Sequence, residues 1–475
     1  MFVTHLCWPL ATGNLAHHSG VVITRPEQHT ARAVLMPSET PLRIVQLTPG
    51  AGKMFCGACL RDNALVSALR GLGHSVVMAP MYLPLTLDED DQTAGTPIFF
   101  SGINVFLDQQ SALFRKAPGW LHRLLASPSL LKLAAGAAGK TQAEDLGELT
   151  ISMLRGEEGH QARELDDLIR WLRLEKPDVV CLSNALLAGM ARRIRAEVGA
   201  PVICSLQGED FFLDGLREPH RAAAWRVAAE RAADVDLFIS PSRYYSQFMA
   251  GRLRIAPERM KVVVNGINLG GYEQAATPGG KSGPPVLGYF ARMCREKGLD
   301  QLIGAFVRLK KRDGLGDLKL RVGGSCGPAD QVIVEALRAT LAAHNVLGDA
   351  EFCPNLSRAA KQDFLRSLTV FSVPARHPEA FGLYVIEALA AGVPVVQPDH
   401  GGFSELVAAT GGGRLFPAGS EEALADAIEA LLRTPEQARA MGAAGRAAVR
   451  ERFTAEAMAG EFARLCRETA RKFPS

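Results

Sequence analysis

The sequence predicts an α/β protein made of two doubly wound parallel sheets, and three observations carry that prediction. From residue 42 onward, short apolar strands alternate with longer helical stretches. Those strands are continuously apolar rather than alternating in polarity, the pattern of strands covered on both faces. The alternation stops at NGINLGGYEQAATPGGKSGPP, dense in Gly, Pro and small polar residues, and then restarts. At 475 residues the chain also exceeds what one hydrophobic core fills, about 250–300 residues.

The first set of strands reads LRIVQL, HSVVMAP, DVVCLS, PVICSL, LFISPS and KVVVNG, separated by helical stretches such as CLRDNALVSALRGLG. The second reads VLGYFA, LKLRVGG, AEFCP, LTVFSVP and VPVVQPD. The expected organisation is a disordered extension over 1–40, polar and without either secondary-structure period. A first domain over 41–270, a linker over 271–284 and a second domain over 285–454 follow. Met36 stands just before the first strand and is a candidate alternative start. Two such domains facing each other form a cleft where their strand C-termini meet, the usual ligand site of this architecture.

Composition narrows the function. A net charge of +3 with no basic block argues against a nucleic-acid partner. Nine scattered cysteines read as reduced thiols of a cytosolic protein rather than a disulfide framework. Only Cys56 and Cys59 are close, and no second pair follows at zinc-site spacing, so no metal site is expected. No apolar run reaches the roughly 18 residues of a membrane span, and the N-terminus lacks a signal-peptide pattern. Residues 110–135 combine Phe114, Trp120 and several leucines with Arg115, Lys116 and Arg123. Two readings stand: amphipathic helices packing on the first domain, or a peripheral element contacting a membrane surface or acceptor.

The stretch LTPGAGKMFCGACLRD invites three readings. A triphosphate loop needs a Gly five positions before Gly52 and a Ser or Thr after Lys53; Leu47 and Met54 stand there. A dinucleotide turn needs a third Gly where Phe55 stands. The remaining reading is a glycine turn, Gly50 and Gly52, lining a cleft at a strand end. LDEDDQ at 87–92 contains an Asp-x-Asp match, but in a polar loop it reads as solvated charge.

The strongest signal lies in VPARHPEAFGLYVIEALAAGVPVVQPDHGG. A helix is predicted from Leu383 to Ala391, with Glu379 before it and Glu387 within it. Free amides at the helix start suit phosphate oxygens, whereas carboxylates suit hydroxyls. Arg292 and Lys297, in GYFARMCREKGLD after a strand end, supply positive charge for a diphosphate.

These motifs resemble those of retaining glycosyltransferases of family 4, which have the two-domain GT-B fold. EAFGLYVIE is similar to the family's Glu-x7-Glu signature, RMCREKG to its Arg-x4-Lys-Gly element, and VVNGIN, with Asn265, to the segment closing the first domain. The resemblance covers nearly everything from residue 42 onward. It implies a nucleoside-diphosphate-sugar donor, a carbohydrate, lipid or small-molecule acceptor, and no cofactor or metal. Arg292 and Lys297 would bind the diphosphate, Glu379 would face the donor sugar, and Glu387 would hold the ribose. The amides of Phe381, Gly382 and Leu383 would lie near the phosphates, with Gly50 and Gly52 closing from the opposite domain. Gln207 stands where many relatives have a His touching the donor sugar. Lys53, Glu209 and Asp210 are candidate acceptor or phosphate contacts, and Glu209 and Asp210 equally suit capping of the next helix. The last helix, within 455–475, would cross back to complete the first domain. The expected location is the cytoplasm, with residues 110–135 as a candidate contact to the inner membrane surface. The alternatives are a non-catalytic sugar-nucleotide-binding protein or a sugar-nucleotide epimerase.

Overall fold

The computed structural model describes residues 40–50, 52, 56–93, 95–100, 146–273 and 283–473. The expectations for Lys53, for 1–39 and for 110–135 lie outside the described residues.

The described residues form two six-stranded parallel sheets. The first comprises β1 (Arg43–Thr48), β2 (Ser75–Pro80), β3 (Val179–Leu182), β4 (Val202–Ser205), β5 (Leu237–Ser240) and β6 (Met260–Val262), in the order β2-β1-β3-β4-β5-β6. The second comprises β7 (Val286–Phe290), β8 (Lys319–Gly324), β9 (Ala350–Pro354), β10 (Val370–Phe371), β11 (Val395–Pro398) and β12 (Gly413–Phe416), in the order β12-β11-β10-β7-β8-β9. β3, β4 and β5 are buried at every position, which is why their sequences are apolar without alternation. β12, the four-residue strand GRLF, has no counterpart among the strands read from the sequence. Its Arg414 and three half-buried positions give it the look of a loop, and its place is set by pairing with β11.

Each sheet changes direction once. Successive strands depart to opposite sides between β1 and β3 in the first sheet and between β7 and β10 in the second. At such switch points the loops leaving the strand C-termini diverge and leave a crevice.

One face of the first sheet is covered by helix Gly57–Gly71 and helix Ala455–Lys472, which share a core with Ile44, Leu65, Val179 and Ile203. The second helix repeats apolar residues at Met458, Phe462, Leu465 and Cys466, all buried, and Thr454 caps its start by accepting from the Ala457 amide at 3.0 Å. The chain has already joined the second domain's core at Ile267 and Tyr272, ahead of the Pro- and Gly-rich stretch. Gln362 and Arg366 fasten that approach through the carbonyls of Gly270 and Gly271, each at 2.7 Å.

Candidate active site

The second domain's crevice is built around Gly298. Its φ is +72°, and a Cβ there would lie 1.8 Å from the Pro374 carbonyl oxygen, so only glycine lets the loop after β7 touch the loop after β10. The Arg376 amide donates to Glu296 O at 2.9 Å across the same contact. This approach brings Lys297 onto Glu379 as a direct ion pair, with side chains 31% and 20% exposed. Arg292 follows the same strand. Its Nε and Nη2 donate to Asp330 at 3.0 and 2.9 Å, leaving the guanidinium half exposed. Asp330 is itself fixed because it accepts from the Gly327 amide at 3.0 Å, capping helix Pro328–Ala343.

Helix Leu383–Ala390 begins beside this pair. Gly382 enters it at φ +104°, where a Cβ would meet the Phe403 ring at 2.7 Å. Phe381 is buried beneath, and no acidic residue occupies the first turn, so nothing there offsets the positive helix end. Glu387 lies one turn further in and accepts from Lys361 Nζ at 2.7 Å.

The first domain meets this site with its own helix start. An added Cβ at Gly57, the first residue of helix Gly57–Gly71, would be 3.9 Å from Leu383 Cδ1. Gly50, at φ +76°, rests so close to the 83–86 segment that a Cβ would sit 1.8 Å from Leu83 O, and the Gly52 amide donates to Pro84 O at 3.0 Å. Cys56 is partly exposed and Cys59 buried; a hydrogen bond from Cys59 pulls the Cys56 thiol down to about 7 and pushes Cys59 up.

Behind these lies a buried polar network centred on Asp62, which is fully buried. Asp62 accepts from Thr48 Oγ1 at 3.0 Å, Gln46 Nε2 at 3.2 Å, Arg61 Nη1 at 3.0 Å and Gln207 Nε2 at 3.1 Å. Gln207 Nε2 also donates to Ser183 O at 2.8 Å, so its amide nitrogen is committed within the first domain. Asn265 accepts from Arg61 Nε at 3.3 Å. Glu209 is buried and accepts from the Ala185 and Gln207 amides at 2.8 and 2.7 Å; burial pushes its carboxyl above the usual range. Asp210 accepts from Tyr245 Oη at 2.6 Å and is pushed up by the same cause. Gln207 and Asn265 thus converge on the helix that faces Leu383, while Glu209 and Asp210 brace the loop after β4.

Three residues of this region escaped the sequence reading. Asp62 and Arg61 sit adjacent on the buried face of helix Gly57–Gly71, a pair whose need for partners was the available signal. Lys361 lies on the core face of helix Arg358–Arg366, three and four positions before the buried Phe364 and Leu365. The structure also corrects the reading of LDEDDQ as solvated charge. Asp88 pairs with Lys361 at 2.5 Å with only 9% of its side chain exposed, and Glu89 pairs with Arg358. Both partners belong to the second domain, some 270 residues away, a separation no local reading of charge can bridge. Among the described residues, no group of three or more His, Cys, Asp or Glu side chains is arranged to hold a metal ion. No described helix is long and apolar enough to cross a membrane.

Residues 133–270 match the family model for Glycosyltransferase Family 4, and residues 273–448 match that for glycosyl transferases group 1. A GDP-mannose-dependent alpha-mannosyltransferase of Mycolicibacterium smegmatis is 30% identical over 56% of this chain and 68% of its own length. A GDP-mannose-dependent phosphatidylinositol monomannoside mannosyltransferase of Mycobacterium tuberculosis is 31% identical over 38% of this chain. The chain spans about half the length of that relative, 47%. Among solved structures, sucrose-phosphate synthase from Thermosynechococcus elongatus superposes with a TM-score of 0.68 at 18% identity, covering 90% of this chain and 98% of the other. Anabaena HepE in complex with UDP-glucose gives 0.62 at 17% identity, covering 90% and 100%. The two parallel sheets, their crevices and these matches together make the chain a member of glycosyltransferase family 4 with the GT-B fold.

Proposed function

We propose that the protein is a retaining glycosyltransferase that moves a sugar from a nucleoside-diphosphate sugar to a carbohydrate, lipid or small-molecule acceptor. The observation that carries this reading is the Lys297–Glu379 ion pair at the β7/β10 switch point, beside a helix start, with Glu387 one turn inside. Cleaving a sugar–diphosphate bond builds negative charge on the departing phosphate. Fixed positive potential at that place is the largest service a site can supply, and Lys297, Arg292 and the 383–390 helix start provide it. Glu379 accepts hydrogen bonds from the donor sugar's hydroxyls, and Glu387 from those of the ribose.

The reaction is a same-face substitution. The bond from the anomeric carbon to the phosphate oxygen breaks, that to the acceptor oxygen forms, and a phosphate oxygen takes the acceptor's proton. The chain supplies no nucleophile in this scheme, and no metal is required. Its donor is a sugar nucleotide of the kind named for the relatives, GDP-mannose or UDP-glucose. The protein works in the cytoplasm, with residues 110–135 as its candidate contact to a membrane surface.

The test is transfer from UDP-, GDP- and ADP-sugars, chosen by thermal shift, in wild type and in Lys297→Ala and Glu387→Ala. Loss of transfer in both variants, each still folded, is the expected result. Full activity in both overturns the site. Nucleotide binding without transfer or donor hydrolysis in wild type makes the protein a binding module instead.

A further inference from the structure

Lys361 occupies an unusual place for a lysine. Its side chain is 5% exposed, yet it bridges two carboxylates brought from different domains, Glu387 at 2.7 Å and Asp88 at 2.5 Å. Burial alone pulls an ammonium's pKa down, but the Glu387 and Asp88 carboxylates more than offset it, so Lys361 stays charged. The trio therefore carries a net charge of one negative, which disfavours a phosphate there and favours neutral hydroxyl donors.

The hydrogen-bonding capacity is only partly used. Lys361 has three N–H groups, and two go to the carboxylates. Glu387 uses Oε1 for Lys361; among the described residues its Oε2 accepts nothing. The Tyr272 hydroxyl is buried within the electrostatic reach of all three and makes no hydrogen bond among the described residues. A cavity of about 650 Å³ opens alongside, lined by residues 87–90 of the first domain and by Asn268 and 355–358. The 83–90 segment also reaches the glycine loop: its start packs under Gly50 and Gly52, and Thr86 donates to Gly52 O. Arg358 repeats the bridge in parallel, pairing with Glu89 and donating to the carbonyls of Asn268 and Gly270 at 2.9 and 3.1 Å.

We propose that Lys361 is a positioning residue for the donor's ribose, holding Glu387 with one oxygen free for a vicinal diol, and that Asp88 makes this positioning depend on contact between the domains. The proposal rests on the assignment of Glu387 to the ribose. Sharing matters to it. A lysine held by two carboxylates neutralises neither fully, so Glu387 keeps its acceptor strength. Without Asp88 the lysine collapses onto Glu387 and quenches it. Ribose binding and seating of the first domain's 83–90 segment thereby reinforce each other.

The experiment is calorimetric titration of the full-length protein with UDP, GDP and ADP and with their 2′-deoxy counterparts, in wild type, Asp88→Asn, Lys361→Met and Glu387→Ala. Wild type should bind the best ribonucleotide at least tenfold more tightly than its deoxy form. Asp88→Asn should weaken the ribonucleotide about tenfold and the deoxynucleotide less than threefold. Lys361→Met should reduce the ribose preference below threefold. With the corresponding sugar nucleotide, Asp88→Asn should raise the donor KM and leave kcat within twofold, a split that mere loosening of the fold does not produce. Asp88→Asn keeps a neutral isostere and an intact helix, so it stands even if Lys361→Met fails to fold. If Glu387→Ala loses ribose preference while Asp88→Asn binds like wild type, the proposal falls and the Glu387 assignment survives. If Glu387→Ala binds like wild type, or wild type binds none of the three nucleotides, both fall.

Discussion

The two walls of the cleft are both polar, but they are polar in different ways. On the second domain, Lys297, Glu379 and Arg292 are partly exposed, and among the described residues each pairs with one charged side chain. On the first, Asp62 is fully buried and takes four hydrogen bonds, while Gln207 and Glu209 are tied to main-chain groups. The partly exposed Lys297–Glu379 pair can be exchanged for a ligand at less loss than a buried one, because exposed pairs contribute only about 0–1 kcal/mol. A buried carboxylate with four donors cannot be released without leaving a charged arginine stranded. One wall is made to exchange partners; the other is made to stay as it is.

That contrast predicts where mutations register. On the second wall, Lys297→Ala should lower kcat/KM about a thousandfold, roughly 4 kcal/mol of transition-state stabilisation, with a thermal midpoint close to wild type; Glu387→Ala should lower kcat/KM and the midpoint together, because it takes one of two carboxylates from the buried Lys361. Asp62→Ala, on the first wall, should instead destabilise the fold by about 3–5 kcal/mol, read from chemical denaturation. A variant at Asp62 that unfolds like wild type and only loses rate would break the comparison.

Smaller effects sharpen it. Gly50→Ala forces a left-handed backbone, at about 1–2 kcal/mol, and drives a methyl into Leu83 O, so its denaturation midpoint should fall further than that alone implies. Smallest is the pH response of Glu209. Burial raises its folded-state pKa, so the folded protein holds this proton more tightly than the unfolded chain. Its ionisation therefore weakens the fold as pH rises from the ordinary carboxylate range through the raised value. Glu209→Gln should flatten that slope, measured as the difference in unfolding free energy from wild type across the window. An unchanged slope would mean that Glu209 is not buried as a charged group.

Much of the fold was readable because it rests on burial. DVVCLS, PVICSL and LFISPS are apolar throughout for the reason that β3, β4 and β5 are covered on both faces. GRLF was not readable, since what makes it a strand is its neighbour β11 rather than its own residues. The site divides in the same way. Arg292, Lys297, Glu379 and Glu387 lie within two short motifs, so their places at a strand end and a helix start, together with the family resemblance those motifs carry, singled them out. Lys361 and Asp88 stand 273 positions apart and acquire meaning only when the domains meet. A charge run in a loop and a lysine on an apolar helix face each look incomplete alone, and each is the other's explanation.

The helix Ala455–Lys472 has a consequence for synthesis. Its apolar residues finish a core that β1 and helix Gly57–Gly71 begin, almost 400 residues earlier. At translation rates of about 5–20 residues per second, that face of the nascent first domain waits roughly 20–80 s for its cover. The second domain has every one of its strands and their connecting helices translated before the first can close. Vectorial folding in this chain therefore runs back to front: the domain made first is the one completed last.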